Sequence, residues 1–383
     1  MRPKRVLYVQ YTDPAFYPPL LHSARILADE GWKIRFLATG AYGAADLQVP
    51  PHKNIAVSRI KFMPAGLPQK LHFAFFHLWV VLVALFWRPT WIYASDLLSC
   101  PSALLLKLIG FHVVYHEHDF QSFSPSSGVL RVLRAARRRL TRMADFCVVP
   151  NRERARLLEE DTATSRPIFT VWNCPMRDEI QEPEQRAMKD QKLILFYHGS
   201  IVPSRLPLAI IRAMVELREN IVLRIAGYET VDNTGYLGTL RRAAAEHGLE
   251  KRFEFLGAIP HRTELLARCS EANVGLAFMP LQSEDNNEKT MLGASNKPFD
   301  YMACGLALLV SDLPGWEETF VRPQYGLACD PLDPASIAKA LRWFLDHPEE
   351  RERMGTKGRK RILSDWNYEM EFAPVMKRIV GPA

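Results

Sequence analysis

KLILFYHGSIVPSRLPLAIIRAMVELRENIVLRIAGY, residues 192–228, decides the fold. An apolar run, KLILFYHGS (192–200), ends on the small residues Gly199 and Ser200. LPLAIIRAMVEL (206–217) then repeats its apolar positions at helical spacing, and IVLRIAGY (221–228) is a second apolar run. Strand, helix and strand in that order predict two parallel strands joined by a crossover helix.

The alternation continues toward the C-terminus. YLGTLRRAAAEHGLE (236–250) reads as a helix and RFEFLG (252–257) as a strand. ELLARCSEA and NVGLAFMP repeat the pair, and NKPFDYMACG (296–305) is a short helix closed by Gly305 before the strand LALLVSD (306–312). Toward the N-terminus the same pattern appears. RVLYVQY (5–11), KIRFLAT (33–39), IAVSRI (55–60), WIYASD (91–96), HVVYHEH (112–118) and FCVVP (146–150) read as strands. LLHSARILADEG (20–31), SALLLKLIG (102–110) and the basic stretch Val129–Met143 read as helices between them. CPMRDEIQEPEQRAMKDQK (174–192) breaks the pattern with two prolines and many charges. The expected architecture is α/β, two Rossmann-like doubly wound domains facing across a cleft. Their expected limits are 1–175 and 192–364, with a linker at 176–191 and a C-terminal helical segment at 365–383. In such sheets the ligand lies beyond the carboxyl ends of the strands.

Bulk composition agrees. A chain of 383 residues, 48% hydrophobic and 24% charged, suits two soluble domains. The formal net charge of +7 favours anionic partners without choosing among them. Six scattered cysteines with no Cys-x-x-Cys pair argue against a zinc site or a disulfide framework and fit a reduced cytoplasmic setting. The N-terminus carries no signal-peptide pattern. LHFAFFHLWVVLVALFW (71–87) is nearly all apolar, and just under spanning length. A span there would split one sheet in two, so a buried or interfacial helix is expected.

Three segments carry the chemistry. In the first, backbone N–H groups after Gly199 and Ser200 can receive a phosphate, and Arg205 can pair with its oxygens. An ordinary strand-to-helix turn with a surface arginine would look similar. In the second, GASNKPFDYMACGLALLVSDLPG (293–315), Asn296 and Lys297 open a helix with Asp300 one turn on. A lysine is disfavoured there by the helix dipole unless an anion shares the site. An aspartate on the same side can accept two hydroxyls, as a ribose offers. In the third, His116, Glu117, His118 and Asp119 end a buried strand. His116 and His118 alternate as two metal ligands would, but no third ligand is evident, so no metal site is expected.

These stretches resemble the retaining glycosyltransferases of family 4, which have the GT-B fold. SNKPFDYMACGLALLVSDLPG is similar to that family's donor-binding signature, Asn-Lys-Leu-Phe-Glu-Tyr-Met-Ala-x-Gly followed by a strand ending Ser-Asp-x-Pro-Gly. YHGSIVPSRLPLAII resembles its donor loop, and TVWNCP (170–175) its domain-exit strand. The resemblance covers most of the second domain; the first matches mainly in pattern. It implies that Gly199 and Ser200 approach the donor phosphates and that Arg205 and Lys297 neutralise the leaving diphosphate. It further implies that Asn296 belongs to the same site, Asp300 holds the ribose and the backbone near Ile259 meets the base. His118 and Asp119 take the position of the family's catalytic pair. One departure concerns the family's first glutamate, whose position is Leu292; Asn287 or Glu288 nearby are the expected substitutes. The resemblance also implies that the segment 365–379 crosses back to the first domain.

The expected activity is retaining hexosyl transfer from a UDP- or GDP-sugar to a saccharide or lipid-linked acceptor, with no metal and no cofactor beyond the nucleotide-sugar co-substrate. Arg131, Arg134, Arg138 and Arg142 lie on a helix with a basic and an apolar face, which fits an anionic membrane surface. A solvated helix face would read the same. No nucleic-acid-reading pattern is present. A nucleotide-sugar epimerase of the same fold and a non-catalytic binding or scaffold protein are the alternatives. No Gly-x-Gly-x-x-Gly follows a strand, which weighs against a nicotinamide enzyme.

Overall fold

The computed structural model describes residues 4–41, 47–64, 66–119, 128–180, 192–217 and 221–381. Most of the expected linker, 181–191, lies outside them.

The first domain holds seven parallel strands: β1 (Arg5–Gln10), β2 (Lys33–Thr39), β3 (Ile55–Ile60), β4 (Trp91–Ser95), β5 (His112–His116), β6 (Phe146–Val149) and β7 (Ile168–Thr170). They are ordered β3-β2-β1-β4-β5-β6-β7. The helices are α1 (Pro18–Asp29), α2 (Leu67–Trp87), α3 (Cys100–Leu108), α4 (Gly128–Met143) and α5 (Arg152–Thr162). The second domain has six strands: β8 (Leu193–Ile201), β9 (Ile221–Glu229), β10 (Phe253–Gly257), β11 (Val274–Ala277), β12 (Ala307–Ser311) and β13 (Gly326–Cys329), ordered β10-β9-β8-β11-β12-β13. Its helices are α6 (Ala209–Leu217), α7 (Tyr236–Glu246), α8 (Arg262–Ser270), the single turn α9 (Asn286–Lys289), α10 (Lys297–Ala303), the single turn α11 (Pro314–Trp316), α12 (Pro334–Asp346) and α13 (Pro348–Ser364). A last helix, α14 (Tyr368–Val380), follows. In each sheet the strand order reverses beside the first strand, which opens a crevice at the carboxyl ends of β1 and β8.

Strand periodicity explains why both faces are covered. On β1, Val6 and Tyr8 face a core with Leu20 and Leu27 of α1 and with Phe372, Val375 and Ile379 of α14. Leu7 and Val9 face the other core, with Phe76, Val80 and Ala84 of α2 and with side chains of α3, α4 and α5. Thus α14 closes the first domain although it ends the chain; the Trp91 indole donates to the Ile379 carbonyl at 3.2 Å. All six cysteines are buried, and no disulfide joins any of them.

The segment expected to be a buried or interfacial helix forms α2, and only Phe76, Val80 and Ala84 of it are buried. It is long and apolar enough to cross a membrane by length and composition. Both of its ends, however, are tied to the sheet. Tyr11 Oη lies 2.8 Å from His72 Nδ1 at one end, and Arg5 donates to the Trp87 carbonyl at 2.7 Å at the other.

Candidate functional site: the interdomain cleft

A cleft of about 910 Å³ lies between the carboxyl ends of the two sheets. Gly199, Ser200, Arg205, Ile259, Asn296 and Lys297 line its second-domain wall, and His118 and Asp119 its first-domain wall.

Backbone packing shapes the phosphate corner. Gly199 lies near the end of β8 at φ +101°, a conformation that costs other residues strain. A Cβ on Gly227 of the neighbouring strand would stand 2.0 Å from the Gly199 carbonyl oxygen, so only glycine lets the strands meet. The Lys297 ammonium comes down from the start of α10 and would touch a Cβ on Gly199 at 3.4 Å. Arg205 reaches Ser200 Oγ at 3.5 Å, and its buried Nε has no partner among the described residues. Burial, then the Arg205 charge, lowers the Lys297 pKa to about 7. Two basic side chains and the backbone of a strand thus converge, and among the described residues no carboxylate is ion-paired with either.

Across the cleft, His118 is buried to 3% exposure, and neither ring nitrogen has a partner among the described residues. Burial, then the Arg154 charge, lowers its pKa to about 3, so it is neutral at pH 7. The ring is clamped between His116, at 3.7 Å between centroids, and Tyr17, at 5.4 Å. Asp96 fixes the strand end beneath it. Its carboxylate accepts the amides of His118 at 2.7 Å and Asp119 at 3.3 Å. Its own backbone sits at φ 61°, ψ 172°, a strained conformation of the kind found at functional sites. Of the four polar residues ending this strand, His116 and Glu117 are absorbed by the interior. His116 Nδ1 lies 2.7 Å from Tyr93 Oη, and Glu117 is ion-paired with Arg137. Among the described residues no three His, Cys, Asp or Glu side chains converge as metal ligands.

Asp300 departs from expectation. It is fully buried and stands behind the wall, with Arg262 between its carboxylate and the cleft. Arg262 donates to both carboxylate oxygens, at 2.6 and 3.1 Å, and His198 Nε2 lies 3.3 Å from Oδ2. In this arrangement the carboxylate is not part of the cleft wall. The same guanidinium donates to Glu179 at 2.7 Å, and Glu179 meets His22 of α1 at 3.0 Å. One ionic chain therefore runs from the first domain through the interdomain segment into the second. Burial opposes ionisation of Glu179, yet Arg262 and His22 hold its carboxyl far below the usual range.

Neither suggested substitute for the acid missing at Leu292 faces the cleft. The Asn287 amide oxygen accepts from Arg154 at 2.6 Å, and Glu288 accepts from Ser283 at 2.7 Å. Arg154, fully buried on α5, also donates to the His118 carbonyl and to Thr290, so it ties the histidine's backbone to the second domain. Asn151 adds bonds to the Thr290 and Leu292 carbonyls at 2.8 and 2.7 Å.

Two family descriptions match the chain. Residues 178–361 match glycosyl transferases group 1, and residues 20–174 match the glycosyl transferase 4-like domain. Built of these two domains, the chain is a glycosyl transferase.

Among curated relatives of this glycosyl transferase is a glycogen synthase of Mycobacterium tuberculosis (strain ATCC 25618 / H37Rv), 30% identical over 126 residues, or 33% of this chain and 28% of that one. Another is a GDP-mannose-dependent alpha-(1-6)-phosphatidylinositol monomannoside mannosyltransferase of Mycolicibacterium smegmatis, 27% identical over 184 residues, or 47% and 46%. The chain thus spans between about a quarter and a half of the length of these relatives. The fold is shared with the sucrose-phosphate synthase of Thermosynechococcus elongatus, at a TM-score of 0.74, 16% identity and 98% coverage of both chains. It is shared too with Anabaena Alr3699/HepE in complex with UDP, at a TM-score of 0.69, 16% identity and 99% and 100% coverage.

The residues that sequence reading missed in this glycosyl transferase are His22, Glu179, His198 and Arg262. Glu179 fell in a segment read as linker, and Arg262 just before the stretch ELLARCSEA that was read as a helix.

Proposed function

We propose that the protein transfers a hexosyl group from a nucleotide diphosphate sugar to a hydroxyl of a saccharide or lipid-linked acceptor, with retention at the anomeric carbon. The observation that carries this reading is the corner where Lys297 and Arg205 converge on the backbone after Gly199, facing neutral His118 and Asp119 across the cleft.

As the anomeric bond breaks, negative charge builds on the leaving diphosphate. Cations already aimed at that corner stabilise it, and losing one such group typically costs about 3 kcal/mol of barrier. Two protein cations in this role remove the need for a metal or other cofactor. A diphosphate also offsets the burial that weakens the Lys297 ammonium. The acceptor hydroxyl approaches from the first domain beside His118, and the closed cleft keeps water from competing. The base lies by Ile259 and is uracil or guanine. The GDP-mannose dependence of one relative and the UDP bound by a protein of like fold support those two donors. The protein works in the cytoplasm, at the inner face of the membrane, where Arg131, Arg134, Arg138 and Arg142 meet anionic headgroups. Arg137 is turned inward to Glu117 and Asp161 and takes no part in that surface. Arg138 and Arg142 are exposed but also held, by Asp161 and the Thr162 carbonyl, so Arg131 is the least committed of the exposed members of that set.

The test is a thermal-shift panel of UDP, GDP, ADP and their sugars on the wild type and Lys297→Ala. Ligand at 100 times its Kd stabilises by about 2.7 kcal/mol. One diphosphate shifting the wild type and not the variant supports the donor corner; no shift with any nucleotide overturns it. Binding without turnover would instead mark a protein that kept the fold and lost catalysis.

A further inference from the structure

α2 has an outward face that none of the described residues covers. Leu71, Phe75, Leu78, Leu82, Leu85 and Phe86 are exposed, Phe86 to 85%. Their spacing of three and four residues puts them on one side of the helix, opposite Phe76, Val80 and Ala84, which pack on the sheet. Only 17% of its most apolar window is buried. A core helix would be mostly buried, and a soluble protein seldom leaves so long an apolar stripe in water. The stripe continues sideways onto α3, where Leu105, Leu108 and Ile109 are exposed as well. α4 packs against α3, and its Val129 and Val132 are also exposed.

Charge selects the occupant. α2, α3 and α4 contain no aspartate or glutamate. Their rim is basic: Lys70 and Arg88 stand exposed at the two ends of α2, and Arg131 and Arg139 stand exposed on α4. An apolar strip flanked by cations matches a leaflet with acyl chains below and anionic headgroups above. A second copy of this face would bring like charges together.

We propose that α2, with the outer sides of α3 and α4, seats the protein in an anionic leaflet, with α2 lying in the plane of the interface. This rests on the membrane reading above and adds to it the element that inserts. The α4 arginines supply attraction; the α2 side chains supply the anchor. Spanning is excluded by the sheet contacts at both helix ends, and 21 residues give a strip about 31 Å long. The N-terminal end of α2 adjoins Tyr11 at the carboxyl edge of the first sheet, and exposed Phe62, just before the helix, lines the cleft. An acceptor held in the same leaflet by its own lipid is therefore presented to the first-domain side of the cleft.

The experiment is co-sedimentation of the full chain with vesicles of phosphatidylcholine alone, or of phosphatidylcholine mixed with phosphatidylglycerol. It compares the wild type, L78Q/L82Q/F86Q and R131Q/R139Q, with thermal shift by UDP and GDP read on each. Wild type is expected on the mixed vesicles, with part of its binding resistant to salt. The α2 variant is expected to lose roughly a hundredfold or more in partitioning while keeping its nucleotide shift. If that variant binds as wild type does and only the arginine variant fails, the α2 anchor is overturned and the electrostatic reading stands. If wild type binds neither vesicle, both fall. If light scattering shows a dimer that the α2 substitutions dissociate, the face belongs to a second copy and the proposal is overturned.

Discussion

Arg262 holds both carboxylate oxygens of Asp300, so the acid that opens the donor helix faces a protein cation before it can face a ligand. The pair is buried, and its members come from α8 and α10. Burial alone would raise the Asp300 pKa, but Arg262, followed by His198, lowers it below the ordinary carboxylate value. Removing one partner of such a pair strands the other.

Asp300→Asn should therefore destabilise the protein by about 3 kcal/mol at pH 7, read by urea unfolding. The sign with pH follows from the depressed value. The charge stabilises the fold above the unfolded-state pKa near 3.8, and that stability is lost as pH falls through the lower folded value. The gap between wild type and variant should close only in that acid range. An Asp300→Asn protein as stable as wild type at pH 7 would mean the pair contributes nothing.

Lys297 titrates near pH 7 with the cleft empty, and a diphosphate should restore its charge. Binding of the favoured nucleoside diphosphate at pH 8 should then take up a proton, and affinity should fall as pH rises above 7. Titration calorimetry in buffers of different ionisation enthalpy measures the uptake directly. Lys297→Met should abolish it. Equal heats in all buffers for the wild type would contradict the assignment. For the free protein the depressed value works the other way: the unfolded chain holds the proton more tightly, so this group's contribution to stability rises between pH 7 and about 10.5.

Gly227→Ala tests the close approach of two strands. The new methyl would stand 2.0 Å from the Gly199 carbonyl, so the donor turn must shift. Nucleotide-induced thermal shift should vanish even where far-ultraviolet circular dichroism shows the fold retained. A nucleotide shift as large as wild type's would show that the turn's position is not critical.

His118→Ala separates chemistry from donor binding. The ring lies on the opposite wall from Lys297 and is neutral across the working pH range. Turnover should fall by roughly 10²–10⁴-fold, the usual effect of losing an acid–base group, with the nucleotide shift unchanged. Turnover near wild type would remove His118 from the reaction.

Much of this was legible in the sequence because it is local. The strand–helix alternation and the Asn296-Lys297 helix start each lie within contiguous stretches, and the structure has them where they were read. However, α5 was not read, Gly199 and Ser200 lie inside β8 rather than in a turn after it, and of TVWNCP only Thr170 is in a strand. Beyond 312 the reading was silent until the last helix, and β13, α12 and α13 had to be seen. The ionic chain His22–Glu179–Arg262–Asp300 could not be read, because its links join residues 157, 83 and 38 positions apart. Asp300 looked available for a ribose only because its partner sits on another helix. Arg137 was passed over for a related reason. It falls on the Leu133–Leu140 side of α4 and pairs with buried Glu117, and a charged side chain on an apolar stripe was the one available hint. Hydropathy marked α2 as apolar without telling which side meets the sheet.

The placement of α14 bears on how the chain acquires its shape during synthesis. Phe372, Val375 and Ile379 complete the face of the first sheet that holds Val6 and Tyr8. The ribosome makes those strands, and α1 on the same face, before that helix. The first domain therefore emerges with that face only partly covered, and it waits through the whole of the second domain for its remaining layer. A stalled product lacking α14 would show aromatic and aliphatic side chains of that sheet face, the kind of surface that chaperones bind.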